Sequence, residues 1–296
     1  MPPVRWVGID HGYSQMGLAV LTPEGQVLAS VRTQDPPGDG HDRGIALLRL
    51  HGLLHRLTAL RGTPVRLAGY CYAQSGVHAA FAEAGWSVAG AKALNDVVGV
   101  YGLSAMSGDV VVAGCGTFSQ VVYVDPRQAV RWPGDDVRLP EWLLSGQAYA
   151  RLLATLAGEA GAPPGWAEQV GAAGGAAGVE SAPATWARLG PLLSASLDVP
   201  VVRAFVARAA TAVRQSRDVL WQQAGTAGPP EVVLGGGAVG DDRLWALLVE
   251  CLRPLGIRPR RAVGDPAVGL ARFALAHPDA DPWAVAGRVR PAWLSG

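Results

Sequence analysis

Asp10 stands at the end of an apolar run, Val4-Arg-Trp-Val-Gly-Ile, and His11, Gly12 and Ser14 follow it before the apolar pattern resumes at Gly17. A carboxylate delivered by a strand to a tight turn can hold a divalent cation. A glycine with a neighbouring hydroxyl lets backbone N–H groups approach phosphate oxygens. The chemistry implied is metal-assisted work on a phosphate. Two more apolar runs enter glycine turns: Asp109–Ala113 leads into Gly114-Cys115-Gly116-Thr117, and Glu231–Leu234 leads into Gly235-Gly236-Gly237. Three such turns spread over two similar halves are the pattern expected when one nucleotide is gripped between two domains.

The elements needed to position these turns can be read from residue periodicity. Residues 4–10, 17–22 and 26–33 carry β-type side chains separated by Gly12 and by Thr22-Pro-Glu-Gly25, which predicts three antiparallel strands. Ile45, Leu48, Leu53, Leu54, Leu57 and Leu60 trace an amphipathic helix ending near Gly62. A strand over 65–69, a helix over 77–84, a strand over 86–89 and a helix starting near Asn95-Asp96 complete the order βββαβαβα. That order matches the ribonuclease-H-like fold, in which parallel strands extend an antiparallel trio through helical crossovers. The strand-turn-strand device restarts at 109. A helix over about 201–224 and a helix through Leu244, Leu247, Leu248, Cys251 and Leu252, capped by Asp241 or Asp242, follow. The expected class is therefore α/β, with ribonuclease-H-like domains at 1–105 and 106–281 and the last segment, 282–294, returning to the first. Gly158–Ala184, rich in Gly, Ala and Pro, is a loop, a lid or a loosely packed helical patch.

Composition narrows the partners. With 296 residues and a formal charge of +1, the chain can bury two cores but offers no broad cationic surface beyond Arg258-Pro-Arg260-Arg261, so nucleic acid is not an expected partner. No run approaches the roughly 18 apolar residues that span a bilayer. Cys71, Cys115 and Cys251 are odd in number and lack CxxC spacing, which argues against a disulfide framework and fits a reducing cytoplasm. His51 and His55 share a helix face at i, i+4, but no Glu follows His51, so packing or surface roles are expected for both. Cys115 reads as a small residue accommodated in its turn. Trp132 and Trp142 lie where a substrate wall could form.

Together the three turns resemble those of the sugar kinase, Hsc70 and actin superfamily, and within it the N-acetylglucosamine kinase and BadF/BadG/BcrA/BcrD ATPase branch. The resemblance spans most of the chain. It implies two actin-like ATPase domains with a nucleotide cleft between them, ATP and Mg²⁺ as cofactors, and a sugar-like small molecule as partner; a homodimer is compatible with it. By residue, it implies a first phosphate turn of Asp10, Gly12 and Ser14, with Asp10 organising Mg²⁺. A second phosphate turn would use Gly114, Gly116 and Thr117, and an adenosine turn Gly235, Gly236 and Gly237. The family's base is an aspartate at a helix start, which carries over to Asp96 within Asn95-Asp96. Asp265-Pro-Ala-Val-Gly269 resembles the family's closing glycine-led helix.

The chain also departs from this pattern. His11 replaces a glycine, Gln15-Met16 stand where a polar or basic pair is usual, and the family's Gly-Gly-Trp-Gly and Gly-Asp-Glu-Gly-Ser segments survive only as fragments around Trp132, Asp135 and Asp136. Asn95, Trp132, Asp135 and Asp136 are the candidate sugar contacts. No cysteine pattern supports the iron–sulfur role of BadF-type activators. The leading expectation is ATP-dependent phosphorylation of a sugar or amino sugar. A divergent, non-catalytic ATP-binding sensor is the alternative. A resolvase-type nuclease is a further one, because Gly8-Ile-Asp10 through Gly17 also resembles the opening of Holliday-junction resolvases.

Overall fold

The computed structural model describes residues 4–12, 15–33, 43–69, 74–94, 96–104, 108–115, 119–124, 130–131, 152, 165–172 and 193–279. The first sheet contains β1 (Arg5–His11), β2 (Met16–Leu21), β3 (Val27–Arg32), β4 (Val65–Gly69) and β5 (Val88–Ala93), in the order β3-β2-β1-β4-β5. The first three strands are antiparallel, and β4 and β5 join in parallel. α1 (Arg43–Arg56) and α2 (Gln74–Glu83) make the crossovers, and α3 (Asp96–Ser104) follows β5.

The second sheet repeats this plan. It contains β6 (Val110–Cys115), β7 (Ser119–Val124), β8 (Val130–Arg131), β9 (Glu231–Gly235) and β10 (Arg260–Arg261) in the order β10-β9-β6-β7-β8. Again three strands are antiparallel and two join in parallel. α4 (Trp166–Ala172), α5 (Pro200–Ala224) and α6 (Asp242–Leu252) belong to this half, and α7 (Pro266–Ala276) follows β10. Both sheets therefore have the expected ribonuclease-H-like strand order.

Period-2 alternation sends the two faces of each central strand into different cores. In β6, Val111, Ala113 and Cys115 pack outward with Phe205, Val206 and Ala209 of α5 and Leu244, Leu247 and Leu248 of α6. Val110 and Val112 pack inward with α3 and α7. In β1, Val7 and Ile9 face Leu50, Leu53 and Leu54 of α1, whereas Trp6 joins the inward cluster. That central cluster contains side chains from both sheets, so α3 and α7 lie between them.

The helices touch where side chains are absent. A Cβ at Gly269 would lie 1.8 Å from the Gly99 carbonyl oxygen, and one at Gly102 would lie 2.0 Å from that of Gly269. Tyr101 and Phe273 seal the far end edge to face, with ring centroids 5.8 Å apart.

Local ends differ in detail from the expectations. The strand expected at 86–89 runs from Val88 to Ala93, because parallel pairing with β4 sets its register while Trp86 turns inward against Phe81. α1 ends at Arg56 and tightens into a 3₁₀ turn at Thr58–Leu60. Asp241, not Asp242, caps α6, accepting from the Leu244 N–H at 2.8 Å. Segment 282–294, and all of 158–184 except 165–172, lie outside the described residues. Among the described residues no helix is long and apolar enough to cross a membrane.

The glycine contact predicts a sharp contrast. Gly269→Ala should lower folding stability by more than about 3 kcal/mol, since backbone must move to relieve the overlap. Gly52→Ala, on an exposed position of α1 where a Cβ meets nothing, should raise stability by about 0.5–1 kcal/mol. Urea unfolding of the two variants checks both signs.

Candidate functional site

Asp10 pairs with Gly17 on β2, and Gly17 in turn pairs with Arg32 on β3. The three residues form one row across three strands. Because the middle member has no side chain, Arg32 can lie over β2, and a Cβ at Gly17 would sit 3.5 Å from Arg32 Cγ and 3.2 Å from Asp265 Oδ1. Arg32 Nη2 donates to Asp10 Oδ2 at 3.1 Å and to Asp265 Oδ1 at 2.8 Å, while Nη1 donates to Gln15 Oε1 at 3.2 Å. Asp265 also caps α7, accepting from the Ala267 N–H at 3.0 Å, and it accepts the Ser30 hydroxyl at 2.5 Å.

Asp96 opens α3, and its Oδ1 accepts the Val97 N–H at 2.9 Å, so it also serves the helix start. The first turns of this helix rest on the ends of β6 and β9. A Cβ at Gly114 would touch Val97 at 3.5 Å, and one at Gly235 would overlap Val100 at 2.5 Å. Gly114 and Gly235 are neighbours in register. Gly236 has φ +105°, and a Cβ there would fall 2.6 Å from the Cys115 carbonyl oxygen, so the third glycine turn folds against the end of β6. Gly236 and Gly237 are exposed, and a Cβ at Gly237 would meet open space.

The electrostatics follow from burial. Loss of water pushes the Asp10 carboxyl up to about 7; Arg32 opposes this, and the charges of Asp96 and Asp265 add to it. Asp96 is exposed at the start of α3, yet desolvation outweighs its backbone hydrogen bonds and holds its carboxyl above the ordinary value. Asp265 pays the same burial cost, but bonds from Arg32 and Ser30 keep it below the usual carboxylate range. Burial works against the Arg32 charge, which the Asp265 bond and the Asp10 field more than restore. Burial also pushes the Cys115 thiol up to about 12, which removes it as a nucleophile and agrees with its expected packing role.

The structure thus brings Asp10 and Asp96 into one electrostatic neighbourhood, with α3 resting on Gly114 and Gly235. Gly12 follows β1, at the turn. Ser14, Asn95, Gly116, Thr117, Trp132, Asp135 and Asp136 lie outside the described residues. His51 Nε2 approaches Glu83 Oε2 at 3.5 Å and His55 is exposed, as a surface reading expects. Arg32, Ser30 and Asp265 were missed as site residues. Arg32 and Ser30 sit on an edge strand among ordinary surface residue types, and only the strand register reveals their direction.

Among the described residues no three His, Cys, Asp or Glu side chains gather as a metal site. Mg²⁺ does not require such a cage, since it keeps several waters and uses one or two carboxylates with substrate phosphates. Asp10 fits that demand. The carboxylates of Asp10 and Asp265 both contact the guanidinium of Arg32, so the three groups carry a net negative charge when both carboxyls are ionised.

Solved structures share this fold. A proposed N-acetylglucosamine kinase from Porphyromonas gingivalis superposes with TM-score 0.68 at 14% identity, covering 92% of this chain and 99% of its own. This is the sugar-kinase fold. A ROK family glucokinase from Streptomyces griseus, in complex with glucose and AMPPNP, aligns with TM-score 0.53 at 15% identity over 91% of this chain and 98% of its own. The sugar-kinase fold is also carried by a ROK family transcriptional regulator, a homologue of the E. coli MLC protein, with TM-score 0.54 at 14% identity over 92% and 78%. No protein-family model and no curated protein matches the sequence.

The raised Asp10 value sets a pH dependence of stability. Between pH 3.8 and about 7 the unfolded chain releases this proton while the folded protein keeps it, so the Asp10 contribution to stability falls as pH rises across that window. Asp10→Asn removes the penalty. The ligand-free variant should melt higher than the parent at pH 8, by about 2–4 °C for each kcal/mol recovered, and the gap should shrink towards pH 4. Calorimetry of both proteins across that range measures it.

Proposed function

We propose that this chain is an ATP-dependent kinase that transfers a phosphoryl group to a hydroxyl of a small metabolite, a sugar or amino sugar. The observation that carries this reading is the packing of α3, which Asp96 opens, against β1, the strand that carries Asp10, and against the glycine-lined ends of β6 and β9. The fold shared with the glucose- and AMPPNP-bound glucokinase supports it. In this reading the domains are 1–105 and 106–281, and the nucleotide and sugar enter the cleft between them.

Each residue then has a task. Asp96 accepts the proton of the sugar hydroxyl, and its raised pKa brings it closer to the range in which a general base works best at neutral pH. Asp10 holds Mg²⁺, which supplies charge neutralisation at the phosphates when bound. The backbone at Gly12, Gly114, Gly116 and Thr117 faces the phosphates, and Gly235, Gly236 and Gly237 face the adenosine. Asn95, Trp132, Asp135 and Asp136 contact the sugar. A second reading, an ATP-binding sensor without turnover, is favoured by the presence of the same fold in a ROK family transcriptional regulator. Duplication of the sheet favours either reading over a resolvase-type nuclease.

A panel of sugars and amino sugars with ATP and Mg²⁺, read as ADP release, tests the proposal. One sugar should stimulate release strongly, and Asp96→Asn should lower kcat about 10²–10⁴-fold with ATP binding retained. The kcat of the parent should decline on acidification with a midpoint above the ordinary carboxylate range. Nucleotide binding without turnover on any sugar would favour the sensor.

A further inference from the structure

Arg32 has no place in the roles above, yet its side chain contacts Gln15, Asp10 and Asp265. It arrives from an edge strand two positions away, through a gap that exists because Gly17 lacks a side chain. Its guanidinium is fixed on three sides: Gln15 at the turn, Asp10 on β1 and Asp265 at the start of α7. Asp265 is itself held by Ser30 and by the Ala267 N–H. Both carboxylates accept from the one nitrogen Nη2 while Gln15 holds Nη1, so the plane of the guanidinium is set and with it the direction in which Nη2 donates, which a point charge on a flexible stem achieves less well. Arg56 Nη1 also donates to the Arg32 carbonyl at 2.7 Å, so the backbone of this residue is tied down as well.

We propose that Arg32, anchored by Asp265 and Ser30, is a positioning residue that orients the Asp10 carboxylate for binding a divalent cation with a nucleotide. The inference rests on the kinase or sensor reading only in taking Asp10 as the cation-binding group; it does not require turnover. Two consequences follow from the geometry. The anchor lies at the start of α7, the helix crossed by α3, so the carboxylate of Asp10 is referenced to the same helix pair that places Asp96. Gln15, a departure from the family pattern, becomes the residue that steadies the outer nitrogen of Arg32.

The test is binding of Mn²⁺ with ADP, followed by the Mn²⁺ paramagnetic resonance signal on the intact chain, with melting temperature recorded for every variant. Arg32→Met should weaken Mn²⁺ binding in the presence of ADP at least tenfold, and Arg32→Lys, which keeps the charge but loses the fork, should recover part of that loss. Ser30→Ala, which removes one bond from the anchor and no charge, should weaken binding two- to fivefold. If Arg32→Met binds Mn²⁺ as well as the parent or more tightly, with only its melting temperature lowered, Arg32 is a strut or a competitor of the cation and the proposal fails. Should Arg32→Met not fold, Arg32→Gln takes its place, and parental affinity in both Arg32→Gln and Ser30→Ala overturns the proposal. A parent that binds no Mn²⁺ with ADP overturns it too, whereas a parent that binds but phosphorylates no sugar overturns the kinase reading alone.

Discussion

α3 and α7 cross between the two sheets with backbone almost on backbone, and the placement of the candidate site depends on that crossing. Gly99 and Gly102 on one helix and Gly269 on the other leave no room for a methyl group. Close approach brings the helices within reach of both inner sheet faces, so one apolar cluster contains Trp6 and Leu21 from the first sheet and Val110, Val112 and Val233 from the second. Interiors packed at crystal-like density transmit small displacements rather than absorb them. The start of α3, with Asp96, and the start of α7, with Asp265, are thereby set relative to β1 and its Asp10.

Around this frame the chain concentrates charge where burial makes charge expensive. Asp10 is nearly enclosed, and a carboxylate there resists ionisation unless something positive approaches. Arg32 partly meets that need, and Asp265 balances Arg32 in turn. The arrangement leaves Asp10 poised, with its proton near neutrality rather than held as a fully compensated ion pair.

The strands and their order were legible in the sequence because alternation and turn chemistry are local. Asp10, Gly12, Gly114, Asp96 and Gly235–Gly237 could be picked out because each sits at a junction between an apolar run and a turn or helix start, and such junctions are written in neighbouring residues. The register of β5 and the end of α1 were read less well, since Trp86 and Leu60 belong to the same apolar classes whether they close a core or extend an element.

What the sequence by itself determined is therefore the alphabet of the site: two copies of a strand-turn-strand device, a carboxylate at the first and a helix-starting aspartate between them. What only the tertiary structure decided is who stands beside whom. Arg32 and Asp265 are more than two hundred residues apart, and neither carries a local signal for the other. They meet because side chains paired across antiparallel strands share a face, because glycine at position 17 opens the row between Asp10 and Arg32, and because helix crossing brings the cap of α7 over that opening.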